Sequence, residues 1–161
     1  ERLGECPVHT DSAFAQDPER FFCLYVVRPS GDGGGESVIV NIDHALEVLL
    51  QEPRGAQCIK ALHLDFPFRT PDAFSSKERV LHAPILTNDE KPIVRFRYDC
   101  IVDGFALFPN ADPELRWAAE YFSEFIEHRA PRQQFLAGRD QLVVLDNHRM
   151  LHASWWPLRQ L

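Results

Sequence analysis

The sequence predicts a mainly β fold with flanking helices. Short runs rich in aromatic and β-branched residues recur along the chain, glycine- and proline-rich connections separate them, and two segments place apolar side chains at helical spacing. A chain of 161 residues is long enough to bury a substantial core but fits one folding unit. We therefore expect a single domain over residues 1–161.

The predicted strands are short segments with apolar, β-branched and aromatic side chains. The first two, residues 21–28 and 37–42, are joined by a glycine-rich connection that permits positive φ angles, so we expect a hairpin or a strand pair. Later segments with alternation or a continuous apolar run are residues 58–68, 84–87, 93–101 and 141–145. The polar segment 69–79 has turn chemistry, which predicts a loop or a lid in a position to cover a substrate.

Two helices are predicted. Residues 43–51 have helical apolar spacing after a candidate N-cap at Asn41 or Asp43. The second helix opens at Pro113, a residue favoured in the first turn, and extends to about His128 with its apolar side chains on one face. We expect this longer helix to pack against the β-rich core.

Composition argues against nucleic-acid, membrane and export functions. The chain has 17 basic and 24 acidic residues, a formal charge of −7 and no basic stripe that could neutralise a phosphate backbone. It has no apolar run of membrane-spanning length, and its first residues lack the features of a signal peptide. We expect a cytoplasmic protein with reduced, mostly buried thiols, because the cysteines form no C-x-x-C pair. They are Cys6, Cys23, Cys58 and Cys100.

The tripeptide His9-Thr10-Asp11 is the first candidate for a metal site. Side chains two apart on an extended strand project to the same face, so His9 and Asp11 can reach one ion. A second imidazole from a distant strand would complete a 2-His-1-carboxylate triad, which leaves coordination positions open at iron(II). His152, after the last predicted strand, is the natural third ligand, and His148 is its rival because alternation places it on the same side.

The residues around both halves of this site carry a wider pattern. The front stretch reads PVHTDSAF, the back stretch reads GRDQLVVLDNHRMLHAS, and a third stretch between them reads GGGESVIVNIDHAL. Together they resemble the 2-oxoglutarate-dependent oxygenase family that includes taurine dioxygenase and gamma-butyrobetaine hydroxylase. The family's D-N-x-R-x-L-H pattern is matched by Asp146, Asn147, Arg149, Leu151 and His152. The resemblance runs from Pro7 to His152, in the family's order.

This resemblance implies a fold, a site and a reaction. The fold would have a double-stranded β-helix core, the jelly-roll or cupin-like arrangement. Iron(II) would be held by His9, Asp11 and His152, and 2-oxoglutarate by Ser37 and Arg159. With dioxygen as the second co-substrate, the enzyme would hydroxylate an unactivated C–H bond and release succinate and carbon dioxide. The substrate would be a small polar metabolite, such as an amino acid, a betaine-like compound or a natural-product intermediate.

The sequence departs from the family pattern in two places. The family places the arginine for the far carboxylate of 2-oxoglutarate ten or more residues after the distal histidine, whereas Arg159 follows His152 by seven. Family members also carry a substantial segment before the H-x-D motif. We therefore expect that the chain lacks an N-terminal segment, and that residues are missing between Ser154 and Arg159 and in internal loops.

Three further arginines have predicted roles. Arg95 and Arg97 alternate with apolar residues and share a face, where they would point into the barrel toward a substrate carboxylate or outward into water. Arg149, inside the D-N-x-R pattern, is predicted to order its strand through an ion pair with a neighbouring acid such as Asp146.

Two other functions remain open on the sequence alone. One is a non-catalytic jelly-roll module that binds a metal or ligand but has lost the co-substrate, which the displaced Arg159 would explain. The other is a zinc hydrolase that uses the same His-Asp-His set with a metal-bound hydroxide. Only the oxygenase should consume 2-oxoglutarate, and only the hydrolase should work without oxygen.

Overall fold

The computed structural model describes residues 7–29, 36–75 and 79–155. Within these ranges the fold is mainly β with flanking helices, as the sequence predicts. The strands are β1 (Phe21–Tyr25), β2 (Glu36–Asn41), β3 (Asp65–Arg69), β4 (Val80–Pro84), β5 (Gln133–Phe135), β6 (Leu142–Asp146) and β7 (Met150–Trp155). The helices are α1 (Ile42–Leu49), α2 (Gly55–Leu62), α3 (Tyr98–Leu107) and α4 (Pro113–His128).

The described strands form three small antiparallel sheets. β2 lies at the centre of one sheet, between β5 and β7, while β1 pairs with β6 and β3 pairs with β4. The predicted pairing of the first two strands is therefore wrong. A glycine-rich connection permits a hairpin, but β2 instead pairs along its whole length with β7, where Val38 and Val40 are buried in the core.

Both predicted helices are present. In α1 the side chain of Asn41 is the N-cap, accepting hydrogen bonds from the amides of Asp43 at 2.9 Å and His44 at 3.2 Å. The longer helix, α4, begins at Pro113 after an Asp112 cap and extends to His128. None of the helices in the described ranges is long and apolar enough to cross a membrane.

Two segments predicted as strands are partly helical. The first part of segment 58–68 belongs to α2, in which Cys58, Ala61 and Leu62 are buried at helical spacing. A Cβ on Gly55, the first residue of α2, would lie 1.7 Å from a backbone oxygen of α1, so only glycine permits this close approach. The alternation of segment 93–101 likewise ends where α3 begins, because burial in α3 follows the helical period.

The core lies between α2, α3, α4 and the strands. Its largest fully buried side chains include Phe66 and Phe68 of β3 and Phe122 of α4. Phe122 meets Phe96 edge to face, with ring centroids 4.9 Å apart. Phe96 in turn is hydrogen-bonded to the His9–Asp11 segment, because the backbone amide of Thr10 donates to the carbonyl of Phe96 at 2.7 Å. The segment that carries the first metal-ligand candidates therefore rests directly on the core.

Candidate metal centre

An isolated antiparallel bridge brings the two histidines together. The amide of His9 donates to the carbonyl of His152 at 2.9 Å, and the amide of His152 donates back at 2.8 Å. Their imidazole rings are 4.6 Å apart between centroids. Two residues separated by 143 positions in the chain (152 − 9) are thus held side by side by backbone hydrogen bonds.

Alternation along the His9–Asp11 segment orients its side chains. Thr10 faces the core, where its hydroxyl accepts a hydrogen bond from the amide of Phe96 at 2.9 Å. His9 and Asp11, on either side of Thr10, therefore project away from the core toward His152. The structure places these two side chains on one face of the segment, as predicted.

The three predicted ligands converge on one point. Asp11 Oδ2 lies 3.5 Å from His152 Nε2, and Asp11 Oδ1 lies 3.7 Å from His9 Nε2. One ligand atom from each residue lies within 4.8 Å of the others. Both separations are longer than an ordinary hydrogen bond, and they leave space for a cation between the groups.

The hydrogen bonding of the rings fits a metal. His9 Nδ1 donates to the carbonyl of Pro7 at 2.8 Å, so Nε2 is the ring nitrogen that faces the Asp11 carboxylate and that a metal would use. The ring of His152 stacks on Phe22, with centroids 4.7 Å apart, and its buried Nδ1 has no hydrogen-bond partner among the residues that the structure describes.

The charge of Asp11 suits the same role. The neighbouring ring of His152 and then that of His9 hold the pKa of the Asp11 carboxyl well below its ordinary value, although burial opposes this shift. Asp11 is consequently ionised at neutral pH. An ionised carboxylate between two imidazoles has the donor chemistry that iron(II) and zinc(II) both accept.

Asn147 is a residue whose role the sequence reasoning missed. Its side-chain oxygen accepts from the amide of Asp11 at 2.9 Å, and its side-chain nitrogen donates to the carbonyls of Asp11 at 3.1 Å and Glu19 at 2.8 Å. It is 1% exposed and lies in the turn that leads to β7 and His152. Asn147 therefore ties the two halves of the candidate site together. The D-N pair of the motif is the signal that could have indicated it.

The rival ligand His148 lies away from the centre. Residues 147–149 form a turn between β6 and β7, so the strand alternation that placed His148 beside His152 does not apply. The His148 ring donates from Nε2 to the carbonyl of Pro18 at 2.9 Å. This contact holds the turn against the segment that follows Asp11.

Arg149 forms the kind of contact that the sequence predicts, with a different acid. Its guanidinium pairs with Asp43 at the start of α1 and donates to the carbonyl of Pro92 at 2.6 Å. Asp146, the predicted partner, instead pairs with Arg20 at 3.2 Å. The turn reverses the chain at this point, so the neighbour in sequence is not the neighbour in space.

Two cavities meet at Asp11. One, here called the sheet cavity, has a volume of about 250 Å³ and lies among the strands. His9, Asp11, His152 and Ser37 line it, together with apolar side chains of β1, β2, β5 and β6. Ser37, predicted to help hold 2-oxoglutarate, thus lies in the same cavity as the candidate metal ligands. Arg159, its predicted companion, lies outside the described residues.

The second cavity, here called the loop cavity, has a volume of about 280 Å³. Its lining includes Asp11, Glu19, Arg97 and Phe74, the last from the segment predicted as a lid. Arg97 is paired with Asp99, whose carboxylate oxygen lies 3.1 Å from Arg97 Nε. The predicted contact of Arg97 with a substrate stays a prediction.

Arg95 has a different environment from Arg97. Its guanidinium donates to the carbonyls of Ala13 at 3.1 Å and Gln16 at 3.2 Å, and also to that of Ala15. These contacts fasten the segment that follows Asp11. The observed partners of Arg95 are therefore structural, and its predicted contact with a substrate remains untested.

Comparison with known proteins identifies the family of this chain. Residues 2–155 match the model of a family described as taurine catabolism dioxygenase TauD, TfdA family. This chain belongs to the TauD, TfdA family. The match spans nearly all of the chain, which confirms the resemblance inferred from the H-x-D and D-N-x-R-x-L-H stretches. No curated protein matches the whole sequence significantly.

Solved structures similar to this TauD, TfdA family member include two iron oxygenases. Asparagine oxygenase in complex with Fe(II), 2S,3S-3-hydroxyasparagine and succinate is 18% identical, with a TM-score of 0.74 over 98% of this chain and 46% of that chain. The non-haem iron oxygenase OrfP in complex with Fe and alpha-ketoglutaric acid is 19% identical, with a TM-score of 0.67 over 96% and 45%.

OrfP has also been solved with Fe and L-homoarginine, and that structure is 17% identical, with a TM-score of 0.63 over 99% of this chain and 48% of that chain. At such identities the likeness establishes the fold. This chain spans about half the length of these structures.

Proposed function

We propose that this protein is an iron(II)- and 2-oxoglutarate-dependent oxygenase that hydroxylates an unactivated C–H bond of a small polar metabolite. The observation that carries the proposal is the convergence of His9, Asp11 and His152, with their ligand atoms within 4.8 Å, in a chain of the TauD, TfdA family. Two imidazoles and one carboxylate on one face of a metal leave the opposite positions open for co-substrates.

When bound, iron(II), 2-oxoglutarate and dioxygen would supply the oxidation chemistry: one oxygen atom would enter the C–H bond, the other would end in succinate, and 2-oxoglutarate would lose carbon dioxide. The protein contributes ligands, orientation and exclusion of water. His9, Asp11 and His152 would hold the metal, and the Pro7 carbonyl fixes the tautomer of His9. Phe22, stacked on His152, shields that ligand from water.

The sheet cavity is the proposed site of 2-oxoglutarate. Its apolar walls suit the carbon chain, and the hydroxyl of Ser37 is a hydrogen-bond donor in the same cavity as the three ligands. Arg159 is retained as the proposed partner of the far carboxylate, a task suited to a guanidinium. The loop cavity, which shares Asp11 with the sheet cavity, is then the place for the substrate.

We further propose that the described strands belong to a double-stranded β-helix in a single domain. The sheet β5-β2-β7 and the pair β1-β6 both contribute side chains to the sheet cavity. The buried apolar residues form one contiguous core, which supports one folding unit. The TM-scores to asparagine oxygenase and OrfP support the same arrangement.

Amino acids are prominent among the substrates to be considered. The structures of asparagine oxygenase and OrfP hold 3-hydroxyasparagine and L-homoarginine respectively. Betaine-like compounds and natural-product intermediates belong to the same size range and stay in the proposal.

The test is anaerobic addition of iron(II) and then 2-oxoglutarate to the protein while the visible spectrum is recorded. A weak metal-to-ligand charge-transfer band is expected only after both additions, and His152→Ala should abolish it. His148→Ala is the matched control, since His148 contacts Pro18 and lies outside the centre. Bound metal without a band would indicate a binding module, and hydrolysis without oxygen would indicate a zinc enzyme.

A further inference from the structure

The loop cavity has the size of a small-metabolite site. Its volume of about 280 Å³ lies just below the roughly 300–1,000 Å³ of sites for drug-sized ligands. Asp11 forms part of its wall, so a molecule in this cavity lies beside the proposed metal. Among the described lining residues, Asp11, Glu19 and Arg97 are the ones that carry charge. Once Asp11 is taken by a metal, one carboxylate and one guanidinium remain.

Glu19 is held as an anion at this wall. Its backbone carbonyl accepts from the buried amide of Asn147 at 2.8 Å, which anchors the residue to the turn before β7. A hydrogen bond from the side chain of Ser12 lowers the pKa of the Glu19 carboxyl. Ser12 itself has a φ of 53°, a left-handed conformation that is uncommon for residues other than glycine. Glu19 thus offers an ionised carboxylate at the wall of the loop cavity, on a backbone anchored by Asn147.

Arg97 presents a guanidinium to the same cavity. It lies in extended backbone with a φ of −155°, directly before α3, and its side chain is 27% exposed. Nε and one terminal nitrogen face Asp99, at 3.1 Å and 3.4 Å respectively. The planar fork of an arginine has five N–H donors, so it can bind a second carboxylate while it keeps the first.

Aromatic rings cover the apolar part of the cavity. Phe14, three residues after Asp11, lies against Phe74 with ring centroids 5.1 Å apart, and both line the wall. Phe74 is 67% exposed, so its ring lies at the solvent-facing edge of the cavity. The cavity therefore combines one carboxylate, one guanidinium and an apolar cover.

We infer that the loop cavity binds a small zwitterion with a primary ammonium, an amino acid in chemical class, whose carboxylate pairs with Arg97 and whose ammonium pairs with Glu19. This inference rests on the proposed function, because it places the zwitterion as the substrate beside the metal. A carboxylate acceptor such as Glu19 favours an ammonium that can donate hydrogen bonds, whereas a trimethylated nitrogen has none to donate.

The experiment measures binding under argon, with iron(II) and 2-oxoglutarate present and turnover prevented. The twenty proteinogenic L-amino acids are titrated calorimetrically, and the tightest ligand is compared with three analogues of itself. These lack the amino group, lack the carboxylate or carry a trimethylated nitrogen. Each analogue should bind about tenfold more weakly or worse, since each loses a charge-assisted hydrogen bond.

Two variants separate recognition from structure. Arg97→Gln should weaken the amino acid about tenfold and leave the analogue without a carboxylate unchanged, because that analogue never used the guanidinium. Glu19→Gln should likewise weaken binding of the amino acid about tenfold, and it should leave binding of the analogue that lacks the amino group unchanged. Arg139→Gln and Glu124→Gln, on exposed residues elsewhere, are the charge-matched controls and should change nothing.

The outcomes are distinct. The inference is supported if each variant binds the amino acid more weakly but binds the analogue that lacks the matching group as tightly as before. Equal weakening of the amino acid and both single-charge analogues would assign the two residues a structural role and overturn the inference. A normal charge-transfer band with no binding by any amino acid would also overturn it, while leaving the oxygenase proposal intact. Absence of the band itself would instead reject the oxygenase proposal on which the inference rests.

Discussion

The two cavities that meet at Asp11 are built in different ways. The sheet cavity lies among paired strands, and the ligands facing it are held by backbone bonds between His9 and His152 and by the buried Thr10. The loop cavity takes part of its wall from β1 and the rest from connecting segments, which include the exposed Glu19 and Phe74. Glu19 and Phe74 themselves lie outside the paired strands.

This difference separates two tasks. Metal ligation tolerates little displacement, so it benefits from strands fastened to a packed core. Substrate choice is made by groups on loops, which can change without disturbing that core. Changes at the metal ligands and at the residues that support them should therefore abolish chemistry or lower stability, while changes at the exposed side chains of the loop cavity should alter substrate affinity alone.

The substitution with the largest expected effect is at Asp11, which lines both cavities. Asp11→Asn keeps the shape of the side chain but removes the ionised ligand, so iron affinity should fall at least about 100-fold and hydroxylation should stop. Metal content after dialysis and the charge-transfer band measure this. Asp140→Asn, on an exposed turn, is the control. Retained iron in Asp11→Asn would show that Asp11 is not a ligand.

The next largest effect should follow from Asn147→Leu. This change removes the hydrogen bonds to the backbone of Asp11 and Glu19 and leaves buried groups unpaired, so the free energy of unfolding should fall by about 2–4 kcal/mol. Iron affinity should fall by about 10–100-fold because a supporting residue is lost. Denaturant unfolding and iron titration measure these losses, with the exposed Asn110→Leu as control. Unchanged iron affinity in a folded variant would refute the coupling.

A smaller effect is expected for Phe74→Ala in the loop cavity. The ring is 67% exposed, so its loss should change the free energy of unfolding by less than about 0.5 kcal/mol. The charge-transfer band should be unchanged, while KM for the substrate should rise several-fold because the apolar cover is lost. A weakened charge-transfer band would contradict the separation of metal and co-substrate binding in the sheet cavity from substrate binding in the loop cavity.

The smallest effect concerns the described cysteines. Burial raises the pKa of the Cys58 and Cys100 thiols to about 12, so at pH 8 both stay protonated and inert. Cys23 is exposed and lines the loop cavity. Iodoacetamide should therefore modify Cys23 before Cys58 and Cys100, as peptide mass spectrometry can show, and a bound substrate should slow this reaction. Equal labelling of Cys58 in the native protein would contradict its burial.

Local sequence determined a good part of this protein. The alternation of His9, Thr10 and Asp11 predicted which side chains share a face, and Pro113 predicted where α4 begins. These features depend on backbone geometry and capping, which a few adjacent residues decide. The family was recognisable from short motifs for the same reason, since each motif is contiguous.

Tertiary structure decided the rest. β2 pairs with β7 and not with β1, and α2 and α3 form where parts of two strands were predicted. Arg149 pairs with Asp43, and Asn147 joins two segments that are 136 residues apart. In each case several partners satisfy the local pattern equally well. Which partner is chosen depends on how the whole chain buries its apolar faces and pairs its buried polar groups at the same time. No single segment of the sequence determines that result.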